Sequence, residues 1–204
     1  MKLVIISGSQ RKQSQSAKVA EFLRHHSQTF DEVNHIELCN FDLPFWDGEQ
    51  SSKDDDSSTW QYISHQLIHA DAFILITPEW GGMATPILKN FLLMATSAET
   101  GHKPALLVSV VNGISGAYPI AELRMNALKN NKIVAVPDHL IIRNVEQVLN
   151  TQTSQPLEQR DRSLRDRIGY SIQMLHQYSK ALATIRSHQL SNLHPKQQEY
   201  SYGM

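Results

Sequence analysis

One stretch decides the fold: Leu3-Val4-Ile5-Ile6-Ser7-Gly8-Ser9-Gln10-Arg11-Lys12-Gln13-Ser14-Gln15-Ser16. A short continuous apolar run gives way to a hydroxyl-rich loop, and the loop opens directly into a helical pattern. Residues 3–7 read as a strand buried on both faces. Val19, Ala20, Phe22 and Leu23 then mark a helix running to about residue 30. The same alternation continues along the chain. Strands are expected at 35–39, 72–77, 105–111 and 133–136. Helices are marked between them by Tyr62, Ile63, Leu67 and Ile68, by Ile87, Leu88, Phe91, Leu92 and Ala95, and by residues 120–129. From 157 to about 188, Leu164, Ile168, Ile172, Leu175, Leu182 and Ile185 form the stripe of a closing helix. Strands alternating with helices predict an α/β protein, a parallel sheet with helices on both faces. Five strands joined by right-handed crossovers permit the order 3-2-1-4-5 or 2-1-3-4-5. Both place ligands at the carboxyl ends of the strands near the switch point. Residues 139–155 are too long for a tight turn and 191–204 are polar, so both are expected to be surface or interface arms.

The bulk properties narrow the function. A chain of 204 residues with 41% apolar content is long enough for one substantial core and short for two ordinary domains. A net charge of -1 gives no basic field for nucleic acid or an anionic membrane, so neither partner is expected. The single cysteine, Cys39, rules out an intramolecular disulfide framework and a thiolate metal cluster, which suits a reducing compartment. The apolar run at residues 3–6 is shorter than the roughly 7 to 15 residues of a signal peptide core. The later run at 87–95 is broken by Lys89 and Asn90 and falls short of the ~20 residues that span a bilayer. A cytoplasmic location without a membrane span is the expectation.

Three loops carry the chemistry. In the first, hydroxyls at Ser9, Ser14 and Ser16, the Arg11 guanidinium and backbone N–H groups at a helix start can surround a phosphate. The plain alternative is a Ser-capped turn with a solvated Arg, and only context separates the two. No Gly-x-Gly-x-x-Gly turn for a pyrophosphate and no Gly-x4-Gly-Lys-Ser/Thr loop for a triphosphate occurs, so a terminal monophosphate fits better. The second loop, Thr77-Pro78-Glu79-Trp80-Gly81-Gly82-Met83-Ala84-Thr85-Pro86, has a Pro at one end and a permissive Gly-Gly. It can press backbone N–H groups and Trp80 against a flat ring. The third, Val111-Asn112-Gly113-Ile114-Ser115-Gly116-Ala117-Tyr118, again follows a strand. Together the loops predict a pocket at one edge of the sheet.

At these residues the sequence resembles the NADPH-dependent FMN reductase family, which includes bacterial chromate and quinone reductases and related azoreductases. The resemblance rests on Gly-Ser-Gln-Arg with Ser14 and Ser16, Phe41-Asp42-Leu43-Pro44, Thr77-Pro78-Glu79-Trp80 before Leu88-Lys89-Asn90, and residues 113–116 before Leu123-Arg124, over roughly residues 2–137. It implies a flavodoxin-like three-layer sandwich of strand order 2-1-3-4-5, spanning residues 1–190 with a polar tail at 191–204. It implies FMN as cofactor and NADPH or NADH as co-substrate, with Ser9, Arg11, Ser14, Gln15 and Ser16 on the FMN phosphate. By the same resemblance Pro78, Glu79, Trp80 and Gly81 border the isoalloxazine, and Asn112 and Gly113 meet its pyrimidine edge. The family usually reads Thr-Pro-Glu-Tyr-Asn, then a small residue and Ser, then Pro-Gly. Here Trp80 replaces Tyr, Gly81 replaces Asn, Met83 replaces Ser and Thr85-Pro86 replace Pro-Gly, while Ser16 stands where relatives often carry Asn. Ring contacts made through backbone N–H tolerate such changes. Family members are commonly dimers or tetramers, and Phe45, Trp46 and Tyr118 suit a rim or interface.

The resemblance implies that the cofactor carries the chemistry, so no catalytic side chain and no metal is expected. The implied activity passes hydride from NAD(P)H through FMN to a small acceptor: a quinone, azo compound, free flavin or metal oxyanion. The alternative is a non-catalytic or one-electron carrier or sensor acting on a protein partner. Such flavodoxins tend to be markedly acidic for docking, and this chain is near neutral. Other features take plain readings. His65 and His69 lack a third ligand, and His25 and His26 read as helix-end surface. Cys39 reads as a small apolar side chain at a strand end, and Asp54-Asp55-Asp56 precede a helix start.

Overall fold

Five strands form one wholly parallel sheet of order β2-β1-β3-β4-β5, in a computed structural model that describes residues 1–53, 59–150, 157–191, 194–196 and 199. The acidic run at 54–56 and most of the tail beyond 191 lie outside the described residues. The strands are β1 Lys2–Ser7, β2 Glu32–Glu37, β3 Ala72–Pro78, β4 Pro104–Val110 and β5 Val134–Ile142. The helices are α1 Gln15–His26, α2 Trp60–His69, α3 Pro86–Met94, the short α4 Ser97–Thr100, α5 Ala117–Asn126 and the long α6 Gln159–Ser191. Side chains alternate across each strand, so neighbours enter opposite cores. Leu3, Ile5, Ile74 and Val108 pack under α1 and α6 with Val19, Leu23, Ile168 and Ile172. Val4, Ile6, Phe73, Leu75 and Leu107 pack under α2, α3 and α5 with Ile63, Leu67, Leu88, Phe91 and Leu123. The central strands β3 and β4 are buried along almost their whole length, as a sheet covered on both faces requires.

The edges of the sheet depart from the sequence expectation. β2 lies at 32–37 rather than 35–39, because its parallel register with β1 runs from Lys2↔Glu32 to Ser7↔Glu37 and residues 38–40 coil into a 3-10 turn. As an edge strand it needs few apolar residues, and only Ile36 within it is buried. Cys39 therefore sits in that turn, half-buried, and not in a strand. β5 is nine residues long rather than four. Pairing passes from Ala105↔Ala135 to Leu107↔His139, so residues 136–138 bulge out opposite Leu106. A proline is tolerated at an edge bulge, where its missing N–H costs no ladder bond. One Arg124 nitrogen bonds the carbonyls of Val136, Pro137 and Asp138 and covers the bulge. The expected surface arm at 139–155 is thus corrected over its first part. Residues 139–142 complete β5, and Val145, Val148 and Leu149 are buried in the core beside α1 and α6. Helix α1 ends at His26, four residues short of the expected limit, where Ser27 caps it by donating to the Arg24 carbonyl.

Candidate functional site

The loop after β1 starts from a position where any residue but glycine forces its neighbours to shift. Gly8 donates its N–H to the Ile76 carbonyl at 2.8 Å, and a Cβ there would lie 2.6 Å from Leu88 Cβ and 3.1 Å from Ile76 O. The chain therefore leaves the sheet pressed between β3 and α3. Beyond Gly8, Ser9 is buried and its Oγ accepts the Arg11 N–H at 3.2 Å, a bond that leaves its own proton unused. Gln13 takes a left-handed conformation (φ 54°), which turns the loop toward the helix. Ser14 then caps α1: its Oγ accepts from Ala17 N–H and its carbonyl from Lys18 N–H, both at 3.1 Å. A helix start leaves its first N–H groups without intrahelical partners, here those of Gln15 and Ser16. Ser16 is buried, and its Oγ has no hydrogen-bond partner among the described residues. A sealed hydroxyl without a partner costs free energy that a bound acceptor would recover. A helix start, spare hydroxyls and a nearby cation are the groups that can hold an anion. Directly beneath the loop, Ser7 Oγ and His35 Nε2 share a hydrogen bond of 2.9 Å, and burial pushes the His35 ring below its ordinary pKa.

The second loop is a two-residue hairpin. Trp80 and Met83 exchange backbone bonds of 3.2 and 3.1 Å, and the turn between them places Gly81 at φ 58° and Gly82 at φ 78°. Two successive positive φ angles suit Gly-Gly and strain most other pairs. The loop is anchored at both ends. Thr85 donates its N–H to Thr77 Oγ1 at 3.1 Å and its hydroxyl to the Gly8 carbonyl, coupling this loop to the first. Glu122 on α5 accepts from Ala84 N–H at 2.7 Å and from Lys89 Nζ at 2.9 Å. Burial opposes ionisation of Glu122, but those two donors outweigh it and hold the carboxyl below its usual range. The Arg11 guanidinium lies 5.2 Å from the centroid of the Trp80 ring, so the first and second loops also meet through a cation–π contact. Glu79 donates its N–H to the Val110 carbonyl at 3.0 Å and accepts the Ser115 hydroxyl, which joins the second loop to the third.

The fourth wall comes from the segment after β5. Val145 N–H bonds the Val111 carbonyl at 3.3 Å. Lys18 of α1 reaches back with its ammonium to Val145 O at 2.6 Å, Val148 O at 3.0 Å and Asn150 Oδ1 at 2.9 Å. Burial lowers the Lys18 pKa, opposed by Asp161 and Glu146. The four pieces enclose a cleft of about 380 Å³ at the carboxyl ends of β1, β3 and β4. Of the residues singled out in the sequence, Ser9, Arg11, Ser14, Gln15, Ser16, Pro78, Glu79, Trp80 and Asn112 line it together. Gly81 and Gly113 do not line it: Gly81 sits at the hairpin apex, and Gly113 follows Asn112 out of the cleft. Lys12, Gln13, Val145 and Glu146 line it without having been singled out. The last two lie far along the chain in a segment with no loop signature. The one local hint was Lys18, a cation inside an otherwise amphipathic helix.

Among the described residues no helix is long and apolar enough to cross a membrane, and no three His, Cys, Asp or Glu side chains cluster as metal ligands. Strand order and cleft define a flavodoxin-like α/β protein with its cleft at the switch point, hydroxyls and a helix start at one end of the lining and Trp80 at the other. Residues 1–147 match NADPH-dependent FMN reductase, and the chain belongs to that family. It is similar to the NADPH azoreductase of Bacillus sp. (strain OY1-2), 28% identical over 142 residues, 70% of this chain and 76% of that protein. It is likewise 28% identical to the FMN-dependent NADPH-azoreductase of Staphylococcus aureus over 171 residues, 82% of this chain and 90% of that one. Among solved structures, the flavoenzyme NAD(P)H:(acceptor) oxidoreductase FerB from Paracoccus denitrificans superposes with a TM-score of 0.67 at 18% identity, covering 88% of this chain and 97% of that one. The apo form of an NADH:FMN oxidoreductase superposes at 0.66 with 20% identity, covering 85% and 87%. The protein is an FMN-dependent NAD(P)H oxidoreductase. The Ser16 hydroxyl, without a partner among the described residues, and the α1 start, whose first N–H groups lack intrahelical acceptors, would fit the phosphate of that cofactor.

Proposed function

We propose that the cleft holds FMN with its phosphate at Ser9, Arg11, Ser14, Gln15 and Ser16 and its ring against Pro78, Glu79, Trp80 and Asn112, and that the acceptor is a small oxidant such as a quinone, an azo compound, free flavin or a metal oxyanion. The observation that carries this reading is the junction of the two ends: Arg11 stacks on Trp80 while its own loop ends in the unsatisfied N–H groups and hydroxyl of the α1 start. When bound, FMN supplies the two-electron chemistry, receiving hydride from NAD(P)H and passing electrons to the acceptor.

The chain's own contribution is to bind, orient and shield. Ser9 and Ser16 donate to the phosphate, Arg11 adds charge, and the α1 dipole favours the dianion. Trp80 supplies a flat wall, held by the Gly81-Gly82 turn and by the Glu122 and Thr85 anchors. Asn112, which lines the cleft, offers hydrogen bonds to the ring's polar edge. Exposed Phe45, Leu93, Ile114, Tyr118 and Met125 support a homodimer or homotetramer, which light scattering checks. A lone thiol and near-neutral charge support a cytoplasmic setting. The test is anaerobic stopped-flow of the FMN-reconstituted protein with NADPH and with NADH. Bleaching of flavin absorbance, followed by multiple turnovers with a small quinone and no added protein, is expected; no bleaching with either nucleotide refutes the proposal.

A further inference from the structure

Two arginines stand beside the cleft with no role in holding FMN. Arg143 follows β5, is exposed, and donates its Nε to the Ser115 carbonyl at 2.8 Å. Ser115 in turn donates its hydroxyl to the cleft-lining Glu79. Arg160, in the first turn of α6, donates to the Arg143 carbonyl at 2.9 Å. In the amide orientation that satisfies both its neighbours, Asn144 accepts from Arg160 at 2.7 and 3.0 Å and donates to the carbonyl of cleft-lining Asn112 at 3.1 Å. Each guanidinium is therefore one residue removed from the cleft wall, on the side where β5 and α6 meet its mouth. Both are fixed by neutral oxygens. Neither forms an ion pair with a carboxylate among the described residues, whereas Arg165 and Arg167 of the same helix pair with Asp161 and Asp138. Arg160 also sits where the helix dipole disfavours a cation, so local stability does not explain its place. Asn144 holds the link in a left-handed conformation (φ 48°), one that asparagine tolerates better than most residues.

We propose that Arg143 and Arg160 form an anion subsite for the hydride donor, binding the 2′-phosphate of NADPH and setting a preference for NADPH over NADH. The inference rests on the reading of the cleft as an FMN site with an open face. A nicotinamide stacked on that face leaves its phosphate-bearing remainder projecting past the mouth. A phosphate monoester carries close to two negative charges near neutral pH, and fixed guanidinium groups match it better than they match the diffuse charge of a diester. Arg143 is held through Nε and keeps its terminal nitrogens for the phosphate, while Arg160, whose terminal nitrogens meet Asn144 and the Arg143 carbonyl, adds charge and its remaining N–H groups. NADH lacks this group, so the subsite acts on one co-substrate and not the other.

Two measurements test it. Calorimetric titration of adenosine 2′,5′-diphosphate into wild type, Arg143→Gln, Arg160→Gln and the double variant reads the subsite without turnover. Steady-state kinetics of the reconstituted proteins gives the ratio of kcat/KM for NADPH to that for NADH. Each single change is expected to weaken diphosphate binding and to lower the ratio about tenfold, as loss of a charge-assisted contact implies. The FMN dissociation constant, measured alongside, reports whether the Asn144–Asn112 link still supports the cleft, and Arg160→Lys should recover part of the loss. Wild-type diphosphate affinity in the double variant, or equal losses for NADPH and NADH, overturns the subsite. If neither nucleotide bleaches the flavin of the wild-type protein, the functional reading fails, and the calorimetry still judges the arginine pair by itself.

Discussion

Replacing Ser16 with alanine should move the apoprotein and the holoprotein in opposite directions. The Ser16 hydroxyl is buried with no partner among the described residues. Burying such a group unsatisfied costs about 1–3 kcal/mol. Alanine at the second position of α1 removes that cost, keeps helix propensity and leaves the Ser14 cap untouched. In a chain of this size, ~1 kcal/mol corresponds to roughly 2–4 °C in Tm. The apoprotein Tm should therefore rise by about that amount or more. With FMN bound, the same hydroxyl donates to a phosphate oxygen, a charge-assisted bond of about 1.5–3 kcal/mol. Its loss should raise the FMN Kd about 10- to 100-fold. The assay is quenching of flavin fluorescence on titration with apoprotein, run in parallel with riboflavin, which shares the ring and side chain but lacks the phosphate. Riboflavin affinity should change by less than about threefold. Equal losses for FMN and riboflavin, or a lower apoprotein Tm, would refute the assignment of Ser16 to the phosphate.

Three further outcomes follow from the packing. Gly8→Ala must accommodate a Cβ that would lie 2.6 Å from Leu88 Cβ, so chemical denaturation should show a loss of about 1–3 kcal/mol, with weaker FMN binding because the loop carrying Ser9 and Arg11 shifts. Lys18→Met removes the three bonds that hold residues 145–150 against α1; trypsin should then cut near Arg143 faster than in wild type, and bound FMN should slow the cleavage. Lys103 is buried and donates to the Leu67 and Ile68 carbonyls that end α2, and burial, with Arg186 nearby, lowers its pKa to about 8. The folded state therefore binds fewer protons than the unfolded one between pH 8 and the ordinary lysine value of 10.5. Stability contributed by this group is lowest below pH 8 and rises from there to 10.5, and the neutral amine can still donate both bonds. Urea titrations should show wild type gaining on Lys103→Met by up to about 3 kcal/mol across that window. A flat difference would mean that Lys103 stays charged in the fold.

How far the sequence could be read depended on where each residue's partners lie along the chain. Strands β1, β3 and β4 were legible because they are central: buried on both faces, they must be continuous apolar runs such as Phe73-Ile74-Leu75-Ile76. The hydroxyls of the first loop were legible for a related reason, since a helix start exposes N–H groups and local residues satisfy them. β2 and β5 were misplaced because an edge strand is free of both demands. Its outer face tolerates Glu32 and Asn34, and its register absorbs Pro137 in a bulge that Arg124, on another element, covers.

By itself the sequence determined the α/β alternation, the family that its loops resemble, and the hydroxyl-rich turn that opens α1 and lines the cleft, because each rests on contacts within about one turn of chain. Tertiary structure alone decided that Lys18 would hold Val145 and Glu146 against the cleft, that Arg11 would lie over Trp80, and that Arg143 and Arg160 would flank the mouth. Those contacts join residues tens of positions apart, and no local periodicity or turn chemistry encodes which distant side chain a parallel sheet will bring to the same edge.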